Sequence, residues 1–301
     1  MTEPRHRPFP LGGEDGLPYS KGLMARALMG GGVAAHRAYE LALRVERDLV
    51  ARGAAAVDFE RLHELAVEAL GQDEGARAVR RLQRYNDLQQ LDRPIILLVG
   101  GGTGTGKSTV ATEAAHRLGI TRVTSTDFVR QTMRAFFSKE FMPAIHYSSF
   151  EAGAEVDVPD RAEATLVGFL EQTRNVLVGV RAALERALQE GWSMVLEGVH
   201  LVPGMVPSDI EGALVVHCVL AVENEEVHAS NFWIRDATSD GLRPVDKYLE
   251  ALPDIRIVQG YIVERAQQWG VPVIDNADID QAIAAVIELT LASAERIQQK
   301  V

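Results

Sequence analysis

A single cysteine in 301 residues leaves no partner for a disulfide and no paired Cys/His spacing for a zinc site. Cys218 lies inside "ALVVHCVLAV", where a lone thiol reads as a small buried hydrophobe, and a reducing cytoplasm is the expected setting. Positive charge is also short. With 31 Lys and Arg against 42 Asp and Glu, the formal charge of −11 argues against a nucleic-acid-binding face but leaves room for a local cluster of cations around an anionic metabolite. No apolar run reaches the length of a bilayer span, and "MTEPRHRPFPLGGEDG" lacks the apolar core of a signal peptide, so no membrane partner is expected. The eight histidines include no HExxH pattern, so a transition-metal site is not expected either.

What the chain does have divides into two styles of pattern. Residues 1–17, rich in Pro, Gly and charge, read as an irregular lead-in. Residues 18–91 show helical periodicity and no strand candidate. In "AAHRAYELALRVERDLVARG", Ala38, Leu41, Ala42, Val45 and Leu49 fall on one stripe; Asp58 reads as an N-cap, and Gly53 and Gly71 as helix stops. Asp92-Arg93-Pro94 marks a boundary, and from residue 92 to 301 short apolar runs alternate with helical stretches. The strand candidates are Ile95–Val99, Arg122–Thr124, Ser193–Leu196, Leu214–Val222 and Pro272–Ile274. This alternation predicts an α/β fold, a five-stranded parallel sheet covered by helices on both faces, with ligands bound at the carboxyl ends of the strands.

The first strand runs into "GGTGTGKST", residues 101–109, which fits G-x-x-x-x-G-K-[ST]. Glycines let successive backbone N–H groups turn toward a phosphate chain, and the following helix adds its positive end. Gly102, Thr103, Gly104, Thr105, Gly106, Lys107, Ser108 and Thr109 are therefore the candidate ATP-binding residues, with Lys107 reaching the β- and γ-phosphates and Ser108 ligating Mg²⁺.

The other strand ends supply chemistry to match. After the second comes "STDFVRQTMR", with Asp127, Arg130 and Arg134 at i, i+3 and i+7. The acid can take the proton of an acceptor hydroxyl or hold a magnesium water, and the arginines can grip an anionic acceptor; an N-cap Asp with a solvated Arg face is the bland alternative. After the third comes "LEGVH", where Glu197 stands as a Walker-B-type acid toward Mg²⁺ and His200 follows one turn on. His146, Ser148 and Ser149 in "FMPAIHYSSFEAG" can bind a phosphate or carboxylate or can be ordinary turn chemistry. "HASNFWIRDATSDGLRPVDKYL" reads as a lid whose Arg235, Arg243 and Lys247 bring positive charge to a transferring phosphoryl group, or else as a solvated charged helix.

Taken in order, "PYSKGLMARALMGGGV", "GGTGTGKST", "TSTDFVRQTMR", "IHYSSFEA", "VLEGVHLVPG", "RPVDKYL" and "IRIVQGYIVERAQQWGVPVIDN" resemble the 2-phosphoglycerate kinase family. The resemblance covers nearly the whole chain. It implies a P-loop kinase domain over 92–301, an ATP-cone-like helical domain over 18–91, ATP and Mg²⁺ as cofactors and 2-phosphoglycerate, a small phosphorylated acid, as substrate. In that reading Lys107, Asp127 and Arg235 are catalytic, Arg235 and Arg243 close over ATP, Ser108 and Glu197 hold the metal, and Arg130, Arg134, His146, Ser148, Ser149 and His200 bind the acceptor. Asn231, just before Phe232, stands where the resemblance leads one to expect an arginine. A kinase for a sugar or inositol phosphate, and a nucleotide-sensing module without phosphotransfer, are the competing readings.

Overall fold

The amino-terminal stripe becomes a packed helix face. The computed structural model describes residues 19–30, 33–238 and 245–298, the side chains of 235–238 and 298 excepted. Helices α1 (Lys21–Gly30), α2 (Ala35–Arg52), α3 (Phe59–Leu70) and α4 (Gln72–Gln89) come first, and no strand precedes Pro94 among the described residues. Helix α2 buries Ala38, Leu41, Ala42, Val45 and Leu49. Gly53 ends it in the left-handed conformation, returning its N–H to the last carbonyls, and Asp58 caps α3 by accepting from the N–H of Arg61.

From Pro94 onward the order is β1 (Ile95–Gly101), α5 (Lys107–Leu118), β2 (Val123–Ser125), α6 (Thr126–Phe136), a 3₁₀ turn at Pro143–His146, α7 (Arg161–Gln189), β3 (Met194–Gly198), β4 (Leu214–Ala221), α8 (Glu225–Thr238), α9 (Val245–Glu250), α10 (Leu252–Gln268), β5 (Val273–Asp275) and α11 (Ile279–Gln298). All five expected strands form, in one parallel sheet ordered β2-β3-β1-β4-β5. Every residue of β1 is buried, as a central strand covered on both faces must be. Ile96, Leu98, Met194 and Leu196 pack with Val176, Leu177, Val180 and Leu184 of α7, and Val219 packs with Val258, Ile262 and Ala266 of α10. Each such fully buried aliphatic side chain contributes about 1.5–3 kcal/mol.

The chain forms two compact units. Of the described residues, one holds those up to Asp92 with 116–119 and 287–298; the other holds Arg93–Ala115 and those from Ile120 to Val286. The last turns of α11, assigned by sequence to the kinase domain, thus belong with the helical unit. Their anchor is Arg84 of α4, which pairs with Glu288 at 2.8 Å and with Glu295.

Strand register sets the site. Val99 of β1 lies beside Glu197 of β3, and Ser125 of β2 lies on the other side of Glu197, so three adjacent strands end at one level. At the far side Ala221 of β4 is level with Asp275 of β5, which brings Asn276 to the same edge. The motifs carried by these strands converge because parallel pairing fixes them side by side.

Candidate active site

The loop after β1 is closed by its own side chains. Thr105 Oγ1 donates to the Gly102 carbonyl at 2.9 Å, and Lys107 Nζ donates to the same oxygen at 2.9 Å. Gly104 and Gly106 adopt φ of 82° and 75°, open to glycine and strained for other residues. Ser108, at the start of α5, donates from Oγ to Glu197 Oε1 at 3.0 Å.

Glu197 is 6% exposed. Burial pushes its carboxyl above the ordinary range, Lys107 and the Ser108 hydrogen bond pull it back, and Asp127 pushes it up again. A carboxylate held this way is short of positive charge, and a hydroxyl oxygen and a carboxylate oxygen together suit a hard cation such as Mg²⁺. No group of three or more His, Cys, Asp or Glu side chains that could hold a metal occurs among the described residues. Mg²⁺ needs none, since it commonly takes one or two protein oxygens with waters and substrate phosphates.

Asp127 is not the cap of α6. Ser125 fills that position, its hydroxyl accepting from the N–H of Phe128 at 3.0 Å, which leaves Asp127 in the first turn with 65% of its side chain open to solvent. Partial burial pushes its carboxyl up, but His200, Arg130 and Lys107 outweigh that push and hold it below the usual aspartate range. It is therefore ionised across the neutral range and able to accept a hydrogen bond from an incoming hydroxyl.

Arg130 is 8% exposed and largely engaged inside the protein. Its Nη1 donates to the carbonyls of Ile145 and Tyr147 at 3.0 and 2.8 Å, and its Nε lies 3.4 Å from Asp127. It fixes the 145–147 segment as well as facing Asp127, a double duty that helical spacing alone does not reveal. Arg134 turns onto Gln131 of its own helix at 3.0 Å. His146 pairs through Nε2 with the Phe137 carbonyl at 2.9 Å, Ser148 hydrogen-bonds Glu151, and Ser149 is buried.

His200 departs furthest from its expected role. It is wholly buried, with Nδ1 at 2.8 Å from Thr126 Oγ1 and Nε2 at 2.9 Å from Gln172 Oε1. Gln172 Nε2 donates to the Ala144 and Tyr147 carbonyls, so its Oε1 must accept; Nε2 of His200 carries the proton and Thr126 donates to Nδ1. Burial takes the imidazole down to about 4, so it is neutral near pH 7. Through Thr126 and Gln172 it links the ends of β2 and β3 to the 144–147 segment.

Of the residues read from sequence as a lid, Arg235 lies on α8 with its side chain outside the described atoms, and Arg243 lies outside the described residues altogether. Lys247 of α9 pairs with Glu151 at 2.9 Å. Lys107, Ser108, Glu197, Asp127 and Arg130 thus converge, whereas Arg134, His146 and Ser148 are turned onto local partners. Sequence reading missed Thr126, Gln172, His228 and Asn276. Asn276 was within reach of the strand-end rule, since it directly follows β5, and its Nδ2 donates to the Thr105 carbonyl at 2.8 Å.

No family model matches the chain. It is 36% identical over 290 residues to the 2-phosphoglycerate kinase of Methanothermobacter thermautotrophicus, covering 94% of each chain. It is 33% identical over 284 residues to that of Pyrococcus furiosus, covering 94% of this chain and 93% of the other, and 33% identical over 272 residues to that of Methanopyrus kandleri, covering 90% and 83%. Among solved structures, a gluconokinase from Sinorhizobium meliloti 1021 is similar at 15% identity with a TM-score of 0.37, covering 70% of this chain and 97% of that one.

Proposed function

The chain belongs to the 2-phosphoglycerate kinase family, and from that membership we propose that it transfers the γ-phosphoryl group of Mg-ATP to the free hydroxyl of 2-phosphoglycerate, giving 2,3-bisphosphoglycerate and ADP. The observation that carries the reading is the common level of Val99, Glu197 and Ser125, which supports it by bringing the loop after β1, Glu197 and the start of α6 with Asp127 to one edge of the sheet.

Lys107 leaves the Gly102 carbonyl and turns to the β- and γ-phosphates, while the loop amides and the start of α5 hold the chain of phosphates. Ser108 and Glu197 would hold Mg²⁺, directly or through water. Bound there, the ion would neutralise charge between the β- and γ-oxygens. Asp127 accepts the hydrogen bond of the acceptor hydroxyl and aims its oxygen at the γ-phosphorus; a new P–O bond forms there as the bond to the β–γ bridging oxygen breaks. The hydroxyl proton passes to Asp127 or to solvent. Because the transition state for phosphoryl transfer is loose, orienting the hydroxyl matters more than a strong base, and a carboxylate held below its usual range suits that task. Arg130 and the 145–147 segment that it fixes form the acceptor side, with Arg235 and Arg243 closing over the donor. The buried Cys218 thiol and the acidic chain suit a reducing cytoplasm.

The test is ADP release by the purified protein with Mg-ATP and a panel of acceptors: 2-phosphoglycerate, 3-phosphoglycerate, sugar phosphates and inositol phosphates. Turnover confined to or strongest with 2-phosphoglycerate supports the reading. Preference for a sugar or inositol phosphate replaces the acceptor, and ADP release indifferent to any acceptor removes the kinase assignment.

A further inference from the structure

Three side chains hold the phosphate loop from behind. His228 Nε2 lies 2.7 Å from the Thr103 carbonyl oxygen, Asn231 Nδ2 donates to that of Gly104 at 2.9 Å, and Asn276 Nδ2 donates to that of Thr105 at 2.8 Å. Within one trans peptide unit the C=O and the following N–H point in opposite directions. Holding these three successive oxygens outward therefore aims the N–H groups of Gly104, Thr105 and Gly106 inward, where a phosphate chain would lie.

The holders are themselves fixed. The His228 ring stacks on Phe232 at 5.6 Å between centroids, Phe232 stacks on Tyr248 at 5.1 Å, and the backbone N–H of Asn276 donates to Ala221 at 2.8 Å. They also press closely on the loop: a Cβ on Gly104 would stand 2.4 Å from Phe232, and one on Gly106 would stand 2.3 Å from Asn276 Nδ2. Since a carbonyl oxygen only accepts, His228 carries its proton on Nε2. Its buried Nδ1 and the buried Oδ1 of Asn276 have no hydrogen-bond partner among the described residues, so the loop carbonyl is the one bond that each of these side-chain ends makes.

We infer that His228, Asn231 and Asn276 are positioning residues for phosphate binding, presetting the loop amides before nucleotide arrives and tying the loop to helix α8. Converging N–H dipoles repel one another in an empty anion nest, and the clamp offsets that repulsion, so less reorganisation is left for the ligand to drive. The inference rests on reading the loop as the nucleotide site.

The test uses the full chain and three variants. His228→Phe keeps a ring for the stack and removes the donor, His228→Gln returns an N–H near the place of Nε2, and Asn276→Ala removes the third contact. Calorimetric titration with Mg-ATP and, separately, with Mg-tripolyphosphate, both without acceptor, reads phosphate binding apart from base and turnover. His228→Phe and Asn276→Ala are expected to weaken both ligands by roughly tenfold, in line with a buried carbonyl left unpaired. His228→Gln is expected to recover most of the loss. In steady state the ATP KM rises while the acceptor KM stays within about twofold of wild type, the split that distinguishes positioning of this loop from general damage. Wild-type affinity for tripolyphosphate in His228→Phe and Asn276→Ala, with only a lowered melting temperature, overturns the inference. If His228→Phe does not fold, Asn276→Ala decides alone on the same readout. A wild-type protein that binds Mg-ATP but phosphorylates no acceptor overturns the proposed reaction and leaves the clamp standing.

Discussion

Ser108 Oγ donates to Glu197 Oε1 at 3.0 Å across 89 residues of chain, because β1 and β3 pair in a register that puts Val99 beside Glu197. The contact joins the hydroxyl of the phosphate loop to the buried acid of the neighbouring strand. In the proposed reaction these two oxygens would hold Mg²⁺.

Glu197→Gln separates stability from function. Burial raises the Glu197 carboxyl, so its ionised form is disfavoured by folding, and stability falls as pH rises from the unfolded toward the raised folded pKa. The amide lacks that penalty: the ligand-free variant is expected to melt at or above the wild-type temperature at pH 7. Its half-saturating magnesium concentration should rise by roughly 10- to 100-fold. Differential scanning calorimetry and magnesium titration of the rate check the two halves.

Lys107→Ala is expected to nearly abolish turnover with the fold intact, since among the described residues the ammonium makes one hydrogen bond, to the Gly102 carbonyl. Circular dichroism and ADP release together read the outcome. Near-wild-type activity in a folded variant removes the loop from the mechanism.

Asp127→Asn should lower kcat by roughly 10²- to 10⁴-fold with little change in ATP KM, if the carboxylate orients the acceptor hydroxyl. Ser125, not Asp127, caps α6, so an N-cap effect does not compete with this expectation. Because positive neighbours keep the Asp127 carboxyl below its ordinary value, replacing it with Asn should leave the neutral-range pH profile of the residual kcat/KM for the acceptor unchanged in shape.

Arg130→Lys carries a larger penalty than a change of acceptor contact alone. An ammonium cannot hold the Ile145 and Tyr147 carbonyls and face Asp127 together, so acceptor KM should rise and kcat fall while ATP KM stays near wild type. Wild-type acceptor kinetics would take this side chain out of the acceptor site.

Acid sensitivity follows from the buried imidazoles. Burial lowers His200 from 6.5 to about 4, so the unfolded chain binds its proton first and stability is lost as pH falls from about 6.5 toward 4. The full shift corresponds to roughly 3 kcal/mol at most. His217, also lowered to about 4 by burial, adds in the same direction. His200→Gln should weaken the protein at pH 7 by about 1–3 kcal/mol through its broken network yet show a shallower loss of stability between pH 7 and 5. Urea midpoints across that range check the slope.

The sheet was legible because its strands are short apolar runs set between helical stretches: Leu214–Val222 was expected and Leu214–Ala221 forms. The phosphate loop was legible because its spacing is local. The placement of Asp127 and Glu197 at strand ends was legible, and both lie there, in the first turn after β2 and within β3. His200 was misread because burial is invisible in a short motif: "LEGVH" does not show that Thr126 and Gln172 occupy both ring nitrogens. His228 and Asn276 escaped notice because their partners lie 125 and 171 residues away, and only the packing of α8 and the β4–β5 pairing bring them to the loop.

The most direct measurement is transfer of labelled phosphate from γ-³²P-ATP to 2-phosphoglycerate by the purified protein with Mg²⁺, with the product identified by chromatography. The expected result is label in 2,3-bisphosphoglycerate, formed in step with ADP and absent in Lys107→Ala. Label appearing only as inorganic phosphate, at a rate that 2-phosphoglycerate does not change, would contradict it.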